Sequence, residues 1–359
     1  MKILQVIPTL DMGGAETMCQ GLSIQLHRMG HQVSVVCLSG DRTVLTRRLE
    51  SQGIPVFHLD KALGMGLDCI PKLRHVLDEV QPQVIHTHLH SLKYVALAMG
   101  RRSIPILHTI HNQADQEAVF LDKQIGRWLF RRGKATPVAL SREIQNSIVS
   151  LYGLPAQDIP VVCNGIDLSR CLKKTDYTLH YPIRLVHVGR FYPQKNHEAI
   201  LSALVLLKQR GIRAQVSCYG TGPLLEDIRR QAEEMGLQKQ VLLEGVTEDV
   251  FSALHQGDLF LLPSKWEGLP MTVIEAMGSG MPVVVSNVGG VGDMVTSGQS
   301  GLLIEPTAQA LADAIETLCK DEALRTRLGT QAMEDAKRFS LEAMASGYEA
   351  LYRQKEASK

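Results

Sequence analysis

Short apolar runs alternating with helix-length segments constrain this chain more than any other feature. Lys2 to Ile7 (KILQVI) reads as a strand, followed by the turn PTLDMGGAE and a helix from about Glu16 to Met29. His31 to Leu38, Pro55 to Leu59, Val84 to His88 and Ile104 to Thr109 read as further strands. Helices at Ile70 to Glu79 and around Leu92 to Gly100 fall between them, and another strand is expected near Val161 and Val162. A polar stretch without periodicity then runs from Leu168 to His180, and a second series begins. Its strands are expected at Ile183–Val188, Ala214–Tyr219, Val241–Leu243, Leu259–Leu262, Val283–Val285 and Gly301–Ile304. Such alternation predicts an α/β chain with parallel sheets covered by helices on both faces. Two series, each the size of one doubly wound sheet, predict two Rossmann-like domains. The expected bounds are 1–170, a linker at 171–182, and 183–339. An amphipathic helix at 340–359 follows, with Met344, Tyr348, Leu351 and Tyr352 roughly on one face. Ligands of such sheets bind beyond the carboxyl ends of the strands, so facing domains would share one cleft.

Composition narrows the class. A chain of 359 residues with 45% hydrophobic and 21% charged residues is ordinary for a soluble globular enzyme. Its net charge of +1 gives no reason to expect a nucleic-acid partner. The charge is uneven: residues 1–180 hold 20 Lys/Arg against 15 Asp/Glu, and the remainder 18 against 22. A mildly basic first half suits an anionic partner, such as a membrane surface or a pyrophosphate-bearing acceptor. The seven cysteines form no C-x-x-C pair and indicate neither a disulfide framework nor a metal site. Met1 leads straight into a strand, and no apolar run nears the ~18 residues that span a bilayer. A cytoplasmic protein, able to touch the inner face of a membrane, is therefore expected.

Chemistry concentrates at strand ends. In SKWEGLPMTVIEAMGSGMPVVVS, Ser264 to Ser286, a polar turn leads from one buried strand into a helix opened by Pro270 and closed by Gly278 and Gly280. The amides of a helix start favour an anionic group, while Glu267 and Glu275 favour a ligand with hydroxyls. A sugar nucleotide offers both. In VHVGRFYPQKN, Val186 to Asn196, Arg190 and Lys195 follow a strand and are placed to neutralise a diphosphate. The GTGP turn, Gly220 to Pro223, lets backbone approach a ligand or a neighbour closely. Gly13-Gly14 lies between the first strand and helix without the G-x-G-x-x-G spacing of a dinucleotide site. His86, His88, His90, His108 and His111 cluster; a metal site is conceivable there, but carboxylate partners are not evident nearby.

Together these motifs resemble the retaining glycosyltransferases of family 4, with the two-domain GT-B architecture. Glu267, Gly268, Leu269, Pro270, Glu275, Ala276, Gly280 and Pro282 match the family's E-x7-E block, and Gly189, Arg190, Lys195 and Asn196 its diphosphate pattern. The resemblance covers nearly the whole chain. It implies that Glu267 and the loop Gly268-Leu269-Pro270, through the amides of Gly268 and Leu269, hold sugar and phosphate, and that Glu275 binds the ribose hydroxyls. It implies that Arg190 and Lys195 stabilise the leaving group and that His111 lies near the sugar. Gly13 and Gly14 would approach the donor. Gly220 and Gly222 match the family's G-x-G-P turn, and the backbone about Val246 would contact the base. The terminal helix would cross back onto the first domain.

The implied reaction is retaining transfer of a hexosyl or N-acetylhexosaminyl group from a UDP- or GDP-sugar to an acceptor hydroxyl. No protein nucleophile and no cofactor are expected. The absence of Asp-x-Asp agrees with charge neutralisation by Arg190 and Lys195 in place of a metal. A glycan or lipid-linked glycan of cell-surface polysaccharide assembly is the expected acceptor, met near residues 115–134, with a small soluble acceptor as the alternative. There Trp128, Leu129 and Phe130 stand among Arg127, Arg131, Arg132 and Lys134 in a helix suited to an anionic membrane. A nucleotide-sugar 2-epimerase, a non-catalytic partner subunit and, with least support, an NAD oxidoreductase remain open from sequence.

Overall fold

The computed structural model describes residues 1–11, 13–62, 66–117 and 120–357. The chain divides into two compact units, Met1–Ile166 with Phe339–Lys359, and Asp167–Arg338. The first holds β1 (Lys2–Ile7), β2 (Gln32–Cys37), β3 (Val56–His58), β4 (Val84–His88), β5 (Ile106–Ile110) and β6 (Thr136–Ala139). The second holds β7 (Ile183–Val188), β8 (Ala214–Tyr219), β9 (Val241–Gly245), β10 (Leu259–Leu262), β11 (Val283–Ser286) and β12 (Leu302–Ile304). Their orders are β3-β2-β1-β4-β5-β6 and β12-β11-β10-β7-β8-β9, which is one topology used twice. Every strand pairing is parallel, with Val6 opposite both Val36 and Thr87, and Leu261 opposite Val284. Helices on both faces bury the central strands, so Ile3, Leu4, Val6 and Leu259 to Leu261 are wholly inaccessible. The order reverses beside β1 in one unit and β7 in the other, where doubly wound sheets place their ligands.

The strand expected near Val161 and Val162 is a single bridge from Ala139 to Val161, and β6 is the sixth strand instead. Pro137 inside TPVA lacks an N–H and masks a strand from pattern reading, but an edge position tolerates it. The polar stretch 171–182 packs within the second unit. Lys174 donates to the carbonyls of Ser279 (2.8 Å) and Gly257 (2.9 Å), and Tyr177 Oη donates to that of Gly280 (3.1 Å). Buried Asp258 accepts from the backbone N–H of Arg184 at 2.8 Å. The terminal helix, Leu341–Ala357, lies on helix Gly14–Arg28 so closely that a Cβ on Gly21 would be 2.8 Å from Leu341. The last two residues of the expected span 340–359 lie outside the described residues. Among the described residues no helix is long and apolar enough to cross a membrane.

Candidate active site

In the second unit the site residues stand at the carboxyl ends of β7, β8, β9 and β10. Gly189 follows β7, and its N–H donates to the carbonyl of Tyr219 at 2.9 Å. A Cβ there would be 3.1 Å from His187 Nε2 and 3.2 Å from the Lys195 side chain, so glycine lets Lys195 fold over the strand end. Arg190 is exposed, with its guanidinium 5.4 Å from the Tyr192 ring centre, and makes no ion pair among the described residues. Lys195 ends the short turn Pro193–Lys195, and its Nζ donates to Glu267 Oε1 at 2.5 Å. Gln194 Nε2 donates to Glu267 Oε2 (3.2 Å) and to the carbonyl of Trp266 (2.9 Å). Asn196, at φ +54°, starts helix His197–Gln209, and its Nδ2 donates to the carbonyls of Pro263 and Pro306, both at 3.0 Å. Asparagine suits the position because it tolerates left-handed backbone and carries a donor pair.

Gly220 and Gly222 serve close approach, and what they approach is the Gly189–Phe191 backbone. Added Cβ atoms would lie 2.1 Å from the Gly189 carbonyl oxygen and 2.6 Å from that of Phe191. Their φ values of +141° and +155° also lie where only glycine is at ease. Val246, just past β9, is exposed.

Beyond β10 the chain runs through Glu267, Gly268 and Leu269 to Pro270, which is the residue before helix Met271–Gly278 rather than its first turn. Glu267 is 4% exposed and Leu269 3%. Gly290 N–H donates to the Gly268 carbonyl at 2.7 Å, and a Cβ on Gly289 would overlap the Glu267 carbonyl at 1.9 Å. Glu275 lies on the helix, and its carboxyl group makes no hydrogen bond among the described residues. Burial pushes its carboxyl up to about 7, opposed by the charge of Arg170. Arg170 itself lies over Phe251, 5.0 Å from the ring centre.

In the first unit Gly13 caps helix Gly14–Arg28 in extended backbone. The side of Gly14 where a Cβ would stand meets nothing within 4 Å, leaving its backbone approachable. Met12, in the same turn, lies outside the described residues. His111 is the first residue past β5 and is partly exposed. The N–H groups of His111 and Asn112 donate to Glu117 Oε2 at 2.6 and 2.8 Å, fixing the loop. Burial pushes the Glu117 carboxyl up to about 7 against those two hydrogen bonds. Burial, and then His108, lower the His111 imidazole to about 3, so it is neutral at physiological pH.

The neighbouring histidines hold one another. His86 meets Tyr352 Oη and Thr109 Oγ1, both at 2.7 Å, and His88 meets Gln5 Oε1 at 2.9 Å and His111 Nε2 at 3.1 Å. All four ring nitrogens of His86 and His88 are thus engaged within the chain. No group of three or more potential ligands among the described residues could hold a metal ion.

Within the stretch 115–134, helix Phe120–Arg131 borders a cavity of about 30 Å³ lined by His90, Lys93, His108, Glu117, Asp122 and Tyr152. Asp122 pairs there with both His90 and Lys93 at 2.8 Å. Residues 118–119 of this stretch lie outside the described residues. Phe120 is 78% and Trp128 51% exposed, and Arg132 stacks 4.9 Å from the Trp128 ring centre. Leu129 and Phe130 are buried.

Sequence reading missed Gln194, Arg170, Glu117 and the Gly289-Gly290 pair. Only the last left a signal, a glycine doublet shortly after an apolar strand.

A family model described as Glycosyltransferase Family 4 matches residues 12–170, and one described as Glycosyl transferases group 1 matches residues 179–335. The chain is 27% identical over 305 residues to the D-inositol 3-phosphate glycosyltransferase of Corynebacterium glutamicum (strain R), covering 77% of this chain and 73% of that one. It is 26% identical over 270 residues to the UDP-Gal:alpha-D-GlcNAc-diphosphoundecaprenol alpha-1,3-galactosyltransferase of Escherichia coli, 70% of each. HepE of Anabaena, solved in complex with UDP-glucose, superposes with a TM-score of 0.84 at 21% identity, over 98% of this chain and 99% of that one. With both family models matched and the same doubly wound sheet built twice, the chain belongs to the family 4, or group 1, glycosyltransferases of the GT-B fold.

Proposed function

We propose that this glycosyltransferase moves a hexosyl or N-acetylhexosaminyl group from a UDP- or GDP-sugar to an acceptor hydroxyl with retention, without a metal. The observation that carries the reading is the pairing of Lys195 with Glu267 at 2.5 Å beside an Arg190 that meets no carboxylate among the described residues. One carboxylate holds one cation in place at the switch point, and the second cation stays available to phosphate. As the bond to the sugar breaks, charge grows on the diphosphate, and Arg190 and Lys195 stabilise it where it develops. The phosphate takes the acceptor proton. Glu275 accepts hydrogen bonds from the ribose hydroxyls; Glu267 and the amides of Gly268 and Leu269 are the sugar-binding groups of the second unit, and His111 is that of the first. The nucleotide sugars of two relatives, UDP-Gal in the name of the Escherichia coli enzyme and UDP-glucose bound to HepE, support a UDP donor.

The test is thermal stabilisation by a panel of UDP-, GDP- and ADP-sugars in EDTA. A true donor at 100 times its Kd adds about 2.7 kcal/mol of stability. Arg190→Ala should remove about half of the shift or more. Stabilisation that appears only with added magnesium would refute the metal-free reading.

The acceptor is a lipid-linked glycan in cell-surface polysaccharide assembly, reached at the cytoplasmic face of the membrane. Exposed Phe120, Leu121 and Trp128, with Arg132 and Lys134 beside them, support peripheral contact with anionic lipid. The wild type should sediment with phosphatidylglycerol vesicles and a Phe120→Ser/Trp128→Ser variant should not; equal sedimentation of the two would rule this face out.

A further inference from the structure

We propose that His88 and Gln5 are positioning residues that hold His111 in a single tautomer, protonated on Nε2, through a one-way chain of buried hydrogen bonds ending on the terminal helix. The proposal rests on the reading of His111 as a sugar-contacting group. Its observations all lie within the first unit.

Protons can be placed link by link. Gln5 Oε1 can only accept, so the His88 Nε2 that meets it at 2.9 Å carries the proton. In a neutral imidazole the other nitrogen is then bare. His88 Nδ1 must accept, and the His111 Nε2 at 3.1 Å must donate to it. The chain runs on in the same direction past Gln5. Its Nε2 donates to Tyr352 Oη at 3.4 Å, and that hydroxyl donates to His86 Nδ1 at 2.7 Å. His86 Nε2 then carries a proton for Thr109 Oγ1 at 2.7 Å, which meets Tyr348 Oη at 2.7 Å. Reversing any one link forces every link between it and His111 to reverse.

Burial keeps the relay intact. Gln5, His86, His88 and Thr109 are 0% exposed, as are Tyr348 and Tyr352, so water cannot supply an alternative partner. Burial also holds His86 and His88 neutral by lowering both well below the usual imidazole range. A protonated ring would break the chain, since it has no lone pair with which to accept.

The consequence falls at His111 Nδ1, which makes no hydrogen bond among the described residues. With Nε2–H committed to His88, Nδ1 presents a lone pair. His111 therefore accepts a hydrogen bond from a sugar hydroxyl, and it brings no positive charge to an anomeric centre that becomes cationic as the leaving group departs. Gln5 lies on β1 and His88 ends β4, the two strands at the switch point. The fold thus sets the protonation of a group at the end of β5 from positions with no access to the ligand.

Nitrogen-15 NMR of the full chain labelled at histidine tests this without a substrate, His111 being assigned from a His111→Gln control. His111 should show a protonated Nε2 and a bare Nδ1. In His88→Leu both tautomers should appear, and Gln5→Leu should mix them as well. His88→Asn should restore the single form, because its side-chain oxygen falls near the position of the lost Nδ1. Glucose release from UDP-glucose should fall about tenfold in His88→Leu, the scale of one hydrogen bond, with UDP affinity unchanged. Circular dichroism establishes that each variant is folded. A wild type protonated on His111 Nδ1, or a folded His88→Leu protein with unmoved His111 signals, overturns the proposal. Loss of UDP binding in the wild type would instead count against the donor-site reading.

Discussion

Glu267 and Glu275 are both carboxylates beyond the same strand, yet their surroundings give them different work. Glu267 is held by Lys195 and Gln194, so its position is set before any ligand arrives. Glu275 has no such partner, and burial pushes it up to about 7. In the unfolded chain it would ionise at about 4.5, so the stability it contributes is fully present below that pH and lost as pH rises through 7. In the role proposed for Glu275, ribose hydroxyls bond more strongly to the ionised carboxylate than to the neutral acid, so nucleotide binding runs the other way. UDP affinity should strengthen as pH rises from 6 to 8, by up to about tenfold per unit below 7, and level off above it. Calorimetric titration across that range should show a steeper slope in the wild type than in Glu275→Gln, where only the terminal phosphate of UDP still titrates. An equal slope in both would assign the titration elsewhere, Glu117 being the other carboxyl near 7. Motifs single out Arg190, Lys195 and the two Glu residues in the sequence, and the structure brings Lys195 and Glu267 into contact. Gln194, Arg170 and Glu117 were not legible, because they act through partners 73, about 105 and five to six residues away that only folding brings near.

At the scale of elements, the strand ends form the site by packing loop on loop. The Gly220–Gly222 turn lies under Gly189–Phe191, and the Gly289-Gly290 pair lies against Glu267-Gly268. Gly220→Ala places a methyl group 2.1 Å from the Gly189 carbonyl at a φ of +141°. The loop carrying Arg190 and Lys195 must then move, at a cost of about 1–3 kcal/mol. Thermal melts should show that loss together with at least a tenfold weaker UDP affinity. A variant as stable as the wild type with full affinity would make this turn a bystander. Buried parallel strands such as Leu259–Leu262 were readable because an apolar run bounded by turn residues has few other fates. TPVA was not, since its proline hides a strand that only an edge position permits.

Over the whole molecule, one six-stranded topology built twice explains why a sequence with two rounds of strand–helix alternation was readable as two doubly wound domains. The route of the chain was harder to see. Stretch 171–182 looks like a linker by composition, but backbone carbonyls of the second unit hold it, and those leave no trace in residue type. The terminal helix returns Tyr348 and Tyr352 to the first unit, 239 and 266 positions from the Thr109 and His86 they bond. The central claim is that fixed cations, with no metal ion, grip a nucleoside diphosphate in the second unit. Calorimetric titration of UDP and of GDP into the full chain in EDTA tests it most directly. Saturable binding of one of them at one site per chain is expected, weakened about tenfold or more by Arg190→Ala and by Glu275→Gln. Binding that requires magnesium, or that neither substitution disturbs, would contradict it.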